Sequence, residues 1–442
     1  MKINTLLRPW KGDPRWTEMS SRAAAGKKAG QTEGEIVAAL EADYGPAVAL
    51  QELRPFPAPA FVCGEVGPEA DIAPAALAQL QLALRLPVAV AGALMPDAHV
   101  GQSLPIGGVL ALHRAVSPSL VGVDIGCRMH LSVYALPPAD LTARRDALFH
   151  DLRAVTAFGL GAETAGRPEH SLLDDKERWG LTTQTKALHA KARRQIGTSG
   201  SGNHFAELVT GERLDAESGL PETFCGLLTH SGSRGVGYAL AEHYMRLAAS
   251  ETARTARVPK RYEWLDLDGD AGREYWAAMT LAGDYARACH EVLHAAFARR
   301  AGLTPLLTVD SPHNFAWQEG GRGRVVHRKG ATLAASEVWG IIPGSMASAS
   351  YLVRGLGNAE ALESASHGAG RVGSRAEARS LISLSDAKRQ MARQDVLVDG
   401  LSADEAPAAY KDIERVLRLQ VDAGLLTPLA RMRPVAVIMA GE

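Results

Sequence analysis

Short apolar runs that are rich in β-branched residues and separated by glycine fill residues 105–135 of this 442-residue chain. The runs IGGVLAL, SLVGVDIG and MHLSVYAL are typical of strands. Segments with helical apolar spacing lie on both sides, and the two kinds of segment do not alternate regularly. A doubly wound parallel sheet would require that alternation. The pattern therefore favours an α+β fold, with one large domain of mixed or antiparallel sheets flanked by helices.

The apolar pattern predicts further elements along the chain. Helices are predicted around residues 70–86, 140–195, 236–250, 272–300 and 410–424, and strands in FCGLLTH, LTPLLTVD, GRVVHRKGATLA and RPVAVIM. Near the N-terminus, the capping-box pattern from Thr32 to Glu35 predicts a short helix, and the preceding SSRAAAGKKAGQ is expected to be mobile. We therefore divide the chain into a partly mobile N-terminal extension, residues 1–55, and a main domain, residues 56–442.

Composition argues against several classes of protein. The net charge of −1 gives no global basic field, and 5% aromatic residues argue against a large stacking platform for single-stranded nucleic acid. The cysteines are far apart, which argues against a disulfide framework and a zinc ribbon. The N-terminus lacks the apolar run of a signal peptide, and no stretch reaches about 18 apolar residues. We expect a cytoplasmic protein that is not associated with a membrane.

Loop-like segments hold the residues best suited to metal binding. Asp124 and Cys127 lie three apart on a glycine-bracketed loop, so both can face one site, and His204, His230 and His313 occur in other loops. An aspartate, a cysteine and three histidines suit Mn, Fe, Co or Zn, and a thiolate beside a carboxylate could bridge two ions. A histidine at a strand end is also commonly a hydrogen-bonded structural residue. Spacing alone leaves both readings open.

Gly/Ser-rich segments beside several of these residues suggest phosphate binding. SGSRGVG follows a predicted strand and opens a helix, where backbone N–H groups bind anions. GSGNH and IPGSM have similar character, and none of the three is a Walker A motif. Each could instead be a simple turn.

His367 stands among small residues in SASHGAGR, which leaves three readings open. A core histidine would have bulkier neighbours, and a metal ligand would have a partner nearby in sequence. A nucleophile that forms a phosphoramidate needs an unprotonated ring nitrogen and open space for an incoming phosphorus. Arg371 could help to balance phosphate charge.

Taken together, the motifs resemble those of the RtcB-type tRNA-splicing RNA ligases. The matching strings are MPDAHVG, GVDIGCRM, GTSGSGNHFAE, LTHSGSRGVG, HNFAWQE, RKGAT, GIIPGSMASASYLVRGLGN, SHGAGRVGSRAEA and AYKDIERV. They follow the family's order and cover most of residues 90–440, whereas the first 55 residues lie outside the resemblance.

The resemblance implies an RtcB-like catalytic domain that uses GTP and two Mn²⁺ ions in RNA repair or tRNA splicing. Such an enzyme joins RNA ending in a 2′,3′-cyclic phosphate or 3′-phosphate to RNA with a 5′-hydroxyl end. GMP is attached first to a histidine and then to the RNA 3′-phosphate, and it leaves when the 5′-hydroxyl attacks. RNA is the implied partner, together with an archease-type activator. We expect a monomer or a weak dimer.

Site residues follow from the resemblance position by position. His367 is implied as the guanylylated nucleophile, and Asp124, Cys127, His204, His230 and His313 as ligands of the metal ions. Glu207 would accept hydrogen bonds from guanine N1–H and the amino group. The implied nucleotide contacts are Asn203, His204, Phe205, Ala206, Glu207, His313, Asn314, Pro343, Gly344, Ser345, Met346, Ser350, Gly368, Ala369, Gly370 and Tyr410.

The chain also departs from the family pattern. Gln102 and Met439 stand where lysine is usual, and Arg128 and Ala347 stand where glycine is common. These differences suggest a divergent paralogue with a less sharp preference for GTP over ATP. They leave two alternatives open: an enzyme that caps 3′-phosphate ends without sealing them, and an inactive protein that binds nucleic-acid ends.

Overall fold

The structure, a computed structural model, describes residues 2–10, 13, 15–45, 50–164, 166, 168–321 and 323–441. The helices are α1 Ile3–Leu6, α2 Trp16–Lys28, α3 Glu33–Tyr44, α4 Pro74–Ala83, α5 Pro118–Val121, α6 Pro138–Ala143, α7 Arg145–Val155, α8 Ser171–Asp174, α9 Lys176–Gly180, α10 Thr183–Gln195, α11 Arg234–Thr255, α12 Asp270–Ala301, α13 Arg375–Leu381, α14 Leu384–Arg393 and α15 Ile413–Asp422.

The strands are β1 Gln51–Glu52, β2 Ala60–Val62, β3 Ala89–His99, β4 Ile106–His113, β5 Ala115–Val116, β6 Arg128–Tyr134, β7 Phe205–Arg213, β8 Thr223–Ser231, β9 Ala256–Arg257, β10 Leu265–Asp266, β11 Pro305–Pro312, β12 Asn314–Gln318, β13 Arg324–Lys329, β14 Ala331–Leu333, β15 Trp339–Ile342, β16 Ser350–Gly355, β17 Ser364–Ser366, β18 Leu397–Asp399 and β19 Leu426–Met439.

Two large sheets form the body of the fold. The larger sheet has the order β11-β6-β8-β7-β19-β16-β15, with antiparallel pairing along that path, and β18 pairs in parallel with the end of β19. The smaller sheet has the order β12-β13-β4-β3-β2, with β2 parallel to β3. The short pair β14–β17 lies immediately before His367 in the chain. This arrangement confirms the predicted α+β fold with mixed and antiparallel sheets.

The strands of the larger sheet direct successive side chains to opposite faces, so each face buries its own set of residues. Helices cover one of these faces. On that face, Ala206 and Leu208 of β7 and Leu227 of β8 pack against Phe149 of α7 and Phe297 of α12. The opposite face buries a separate apolar cluster that extends across β6, β7, β8 and β16. Because both of its faces are packed, the sheet holds the loop residues at its edge in fixed positions.

Most of the predicted elements agree with the structure. Helices α4, α11, α12 and α15 fall within or across the predicted segments, and β4, β6, β8, β11, β13 and β19 fall in the predicted strand runs. The prediction of a strand in SLVGVDIG is wrong. Pro118 opens the helical turn α5 at its first position, and Gly122 ends it with a φ of 99°.

The N-terminal extension forms a small helical unit. The predicted capping box is confirmed, since the Glu35 carboxylate accepts from Thr32 N–H at 2.7 Å and the Thr32 hydroxyl accepts from Glu35 N–H at 3.3 Å. Helix α2 covers much of the segment that we expected to be mobile. Trp10, Met19 and Leu40 belong to a shared apolar cluster. In the part of the chain that the structure describes, no helix combines the length and hydropathy that crossing a bilayer requires.

Candidate active site

Four of the predicted metal ligands lie along one edge of the larger sheet. Cys127 directly precedes β6, His204 directly precedes β7, His230 lies near the end of β8, and His313 directly follows β11. Antiparallel pairing puts the beginnings of β6 and β7 beside the end of β8, and the end of β11 beside the beginning of β6. Residues far apart in sequence therefore meet at one place because of strand order.

The orientation of His230 is that of a metal ligand. Its Nδ1 lies 3.1 Å from the carbonyl oxygen of Asn203, which can only accept, so Nδ1 carries the proton and Nε2 carries a lone pair. That Nε2 lies 3.2 Å from Cys127 Sγ and 3.2 Å from His313 Nε2. Burial, with neighbouring histidines, holds the pKa of His230 and of His313 well below the ordinary value. A neutral imidazole whose other N–H donates to a carbonyl is the usual state of a metal-bound histidine.

Cys127 lies at the centre of this cluster. Its Sγ is 3.4 Å from His204 Nε2, and the ligand atoms of Cys127, His204 and His230 all lie within 4.8 Å of one another. Burial, and then the charge of Asp124, raise the pKa of the Cys127 thiol well above its ordinary value. The thiol would therefore stay protonated on its own, and a bound cation would remove that proton.

Asp124 is held beside His204, with its Oδ2 3.0 Å from His204 Nε2. Burial opposes ionisation of Asp124, but the hydrogen bond and charge of His204 and the charge of Arg234 outweigh it and lower the pKa. Arg234 donates to His204 Nδ1 at 3.2 Å, which places the imidazole proton on Nε2, facing the carboxylate. A cation that replaced this proton would keep the carboxylate and the imidazole together.

These residues fit the metal ions that the resemblance implies. The ligand atoms of Cys127, His204 and His230 lie within 4.8 Å of one another, and Asp124 and His313 adjoin them at 3.0 and 3.2 Å. Sulfur, imidazole and carboxylate donors of this kind suit divalent first-row transition metals. The donor set does not by itself identify the element.

His367 is oriented by a residue of the other sheet. Its Nδ1 lies 2.7 Å from Oδ2 of Asp97 in β3, and its backbone N–H donates to the same oxygen at 3.2 Å. Asp97 is fully buried, whereas the His367 side chain retains 17% of its exposure. The carboxylate accepts from Nδ1–H, so in the neutral imidazole the lone pair lies on Nε2. The ring centroid of His367 lies 5.1 Å from that of His313, which places the imidazole next to the metal cluster.

The small residues around His367 allow close approach of the backbone to Asp97. Gly370 has a φ of 73°, and a Cβ there would lie 2.1 Å from the carbonyl oxygen of Asp97. A Cβ at Gly232 would lie 2.0 Å from Oδ1 of Asp124. Any larger residue at either position would displace a carboxylate-bearing segment of the site.

A cavity of about 350 Å³ joins these groups to most of the predicted nucleotide contacts. His367, Asp124, Cys127, His230 and His313 line it. The predicted nucleotide contacts on its wall are Asn203, Phe205, Glu207, His313, Asn314, Pro343, Gly344, Ser345, Met346, Ser350, Gly368, Ala369, Gly370 and Tyr410. His204 is not on the cavity wall, but its Nε2 contacts Asp124 and Cys127, which are.

Ala206, one of the predicted nucleotide contacts, is not on the cavity wall. Successive residues of a strand point to opposite faces, so Phe205 and Glu207 face the cavity while Ala206 faces the core beneath the sheet. Ala206 has no exposed surface and packs with Leu208 and Leu227. Its side chain is a packing residue.

The residues that depart from the family pattern occupy different surroundings. Arg128 is buried, binds Asp310 at 2.6 Å and donates to the carbonyl oxygens of Gly126 and Gly283. Gln102 accepts a hydrogen bond from exposed Arg261. Among the four departing residues, which also include Ala347, only Met439 lines the cavity.

Sequence analysis assigned no role to Asp97, which lies within the string MPDAHVG. Its partner His367 is 270 positions away, so no local spacing links the two. The available signal was a carboxylate in an otherwise apolar strand, MPDAHVG, because a charged residue in such a run requires a buried partner.

The fold and this site define a class of protein: one that combines a buried cluster of cysteine and histidine side chains able to hold a metal ion with a carboxylate-oriented histidine in the same cavity. The comparisons are more specific. The family model for tRNA-splicing ligase RtcB matches residues 79–440. The chain belongs to the RtcB family.

Named relatives cover most of the chain. The RNA-splicing ligase RtcB of Escherichia coli (strain K12) is 32% identical over 361 residues, which is 75% of this chain and 86% of that protein. The RNA-splicing ligase RtcB of Mycobacterium tuberculosis (strain H37Rv) is 33% identical over 413 residues, 78% of this chain and 95% of that protein. The tRNA-splicing ligase RtcB of Methanococcus maripaludis is 29% identical over 416 residues, 78% and 87% respectively.

Proposed function

We propose that this protein is an RNA ligase that joins 2′,3′-cyclic phosphate or 3′-phosphate ends to 5′-hydroxyl ends, through a nucleotide covalently bound to His367. The observation that carries the proposal is the geometry of His367, which presents an unprotonated Nε2 to the cavity beside the metal cluster. Family membership and the names of the relatives support an RNA ligase of RNA repair or splicing.

In the first step, His367 Nε2 attacks the α-phosphorus of the nucleoside triphosphate. The N–P bond forms as the bond to the bridging oxygen breaks, and pyrophosphate leaves. The imidazole gains positive character as it attacks. Asp97 stabilises that charge through Nδ1–H and holds the ring in the tautomer that keeps Nε2 free.

Asp124, Cys127, His204, His230 and His313 would hold Mn²⁺ ions. The metal would supply Lewis-acid stabilisation of phosphate charge when bound. The protein's own contribution is to orient these donors: Asn203 fixes the tautomer of His230, and Arg234 contacts His204. The nucleotide of the resemblance is GTP.

In the later steps, the nucleotide moves from His367 to the RNA 3′-phosphate, and the 5′-hydroxyl then displaces the nucleoside monophosphate. Arg371 and Arg375 line the same cavity. Both bind Glu405, with Arg371 Nη1 at 3.4 Å. An incoming phosphate would compete with this carboxylate for guanidinium groups already in position.

Residues 56–442 would form the catalytic domain and residues 1–55 an extension to it. RNA with the ends named above would be the substrate, and an archease-type protein would be the activator of a monomer or weak dimer. These assignments form part of the proposal.

The test uses a 3′-phosphate RNA and a 5′-hydroxyl RNA with Mn²⁺ and nucleotide, followed on a denaturing gel. Sealed product supports the proposal. A nucleotide-capped 3′ end without sealing would instead support the end-capping alternative, and unchanged RNA with no labelled protein would contradict both. The first alternative is retained because Gln102 and Arg128 depart from the family pattern on the substrate side.

A further inference from the structure

The part of the cavity wall formed by β7, β19 and the loop before β16 has an unusual composition for a polar ligand. It contains Phe205, Met346, Val437 and Met439, which belong to one apolar cluster. Glu207 lies among them, paired in the sheet with Val437 on one side and Leu228 on the other. With triphosphate at the metal cluster, the purine base would lie against this apolar part of the wall, where flat aromatic surfaces pack well.

Glu207 has no counter-charge. It is 4% exposed, and within the described part of the chain its Oε1 has no hydrogen-bond partner. Burial is the sole cause that raises its pKa, to about 8. A carboxyl group in such surroundings carries its proton at neutral pH, as a hydrogen-bond donor and acceptor rather than a double acceptor.

The basic residues of β19 do not take the place of the lysine that Met439 replaces, and the two arginines on the cavity wall, Arg371 and Arg375, are paired with Glu405. Among the described residues, Arg431 donates to Glu414 at 2.9 Å and Arg433 is exposed, and neither is on the cavity wall. The chain end is also fixed, since a Cβ at Gly400 would lie 2.3 Å from the carbonyl oxygen of Met439.

The protonation state of Glu207 decides which purine base can form hydrogen bonds with it. An ionised carboxylate accepts from guanine N1–H and N2–H but faces a lone pair on adenine N1. A carboxylic acid can donate to adenine N1 while accepting from N6–H, and it can equally donate to guanine O6 while accepting from N1–H. One side chain thus rejects adenine in one form and accepts both purines in the other.

We propose that the base subsite of this protein accepts adenine as well as guanine, with Glu207 acting as a combined hydrogen-bond donor and acceptor in an apolar pocket closed by Met439. The proposal rests on the proposed function, because it assumes that the cavity binds a purine nucleotide. It goes further by assigning ATP as a second substrate.

Equilibrium binding of ATP and of GTP, each with Mn²⁺, tests the subsite directly on the full-length chain. We expect the two affinities to agree within about 10-fold at pH 7, because only a small difference remains between the two base edges. Met439→Lys should raise the preference for GTP by 10-fold or more, because an ammonium beside Glu207 favours its ionised form. Met439→Leu, the matched apolar control, should leave the ratio unchanged.

The pH dependence gives an independent readout. In the wild type, the preference for GTP should grow as pH rises through about 8, the pKa of Glu207. In Glu207→Gln, whose amide is always both donor and acceptor, the ratio should stay flat. The other titratable or charged groups on the cavity wall are the metal-cluster residues, His99, His367, Arg371, Arg375, Glu405 and Tyr410. They remain in both proteins, so a difference between the two profiles belongs to Glu207.

A preference for GTP above about 1,000-fold that is independent of pH and of the residue at 439 would overturn the inference, as would failure of both nucleotides to bind. Covalent labelling of His367 is measured separately. If both purines bind but neither labels the protein, the subsite inference stands and the proposed ligase function fails. If GTP alone binds and labels the protein, the proposed ligase function stands and the subsite inference fails.

Discussion

The two ends of the cavity differ in how their polar groups are satisfied. At the metal end, every proposed ligand has a neighbour within hydrogen-bonding distance, and the lone pairs and thiol converge on one point. At the base end, the buried carboxyl group of Glu207 lies beside methionine, valine and phenylalanine, and its Oε1 has no hydrogen-bond partner among the described residues. Coordination requires several correctly placed donors at once, so the loss of one weakens the whole cluster. Base recognition depends on a single pair of groups, so one substitution can alter specificity while the chemistry persists.

The largest effect is expected at the nucleophile. His367→Ala should abolish covalent labelling by α-labelled nucleotide, because it removes the cavity imidazole whose Nδ1 is bound by Asp97 and whose Nε2 is left free to attack. Label on the wild type should be labile in acid and stable in base, as a phosphoramidate is. His150→Ala removes an exposed histidine away from the cavity and should label normally. Full labelling of His367→Ala would refute the assignment of His367 as the nucleophile. It would also remove the argument that one nucleotide connects the metal end and the base end of the cavity.

Asp97→Asn should reduce the rate of labelling by roughly 10²–10⁴-fold, the range seen when a carboxylate that orients a catalytic histidine becomes an amide. The amide has nearly the same shape, so nucleotide affinity should change little. Rapid-quench labelling at saturating nucleotide measures the rate, and equilibrium binding measures the affinity. A loss confined to affinity would mean that Asp97 shapes the cavity and does not act on His367.

Cys127→Ser should weaken Mn²⁺ binding by at least about 10–100-fold, the cost known for residues that merely support a ligand. The buried hydroxyl cannot replace a thiolate between His204 and His230. Metal titration and elemental analysis supply the measurement. The matched control is Cys225→Ala, which removes a thiol from the core on the other face of the sheet. Equal stoichiometry and affinity in the wild type and Cys127→Ser would exclude Cys127 as a ligand.

The smallest effect is a dependence of stability on pH that arises at the base end. Burial raises the pKa of Glu207 from an ordinary value of 4.5 to about 8, so the folded state binds the proton more tightly than the unfolded state. The free energy of unfolding should therefore fall as pH rises between those two values, by on the order of a few kcal/mol. Urea denaturation of the metal-free protein at several pH values measures it. Glu207→Gln should lose this component, and identical profiles for the two proteins would show that Glu207 ionises freely.

The elements that sequence predicted best are those with a strong local period. Helix α12 shows apolar spacing over many turns, and the runs that became β6 and β8 are β-branched and short. SLVGVDIG misled because its composition suits a strand whereas Pro118 and Gly122 impose a single helical turn. Where one backbone-restricting residue outweighs composition, a count of apolar residues fails.

By itself, the sequence determined the family and the chemical types of the candidate metal ligands, because ligand chemistry and motif order are properties of the residues themselves. Tertiary structure alone decided which donors meet, which carboxylate orients His367 and which face of β7 each residue takes. It also decided that Glu207 is buried and that its Oε1 has no hydrogen-bond partner in the part of the chain that the structure describes. The physical reason is that strand order, register and burial arise from contacts between distant segments. The charge state of Glu207 depends on its burial and on its apolar neighbours, and only the packed fold determines both.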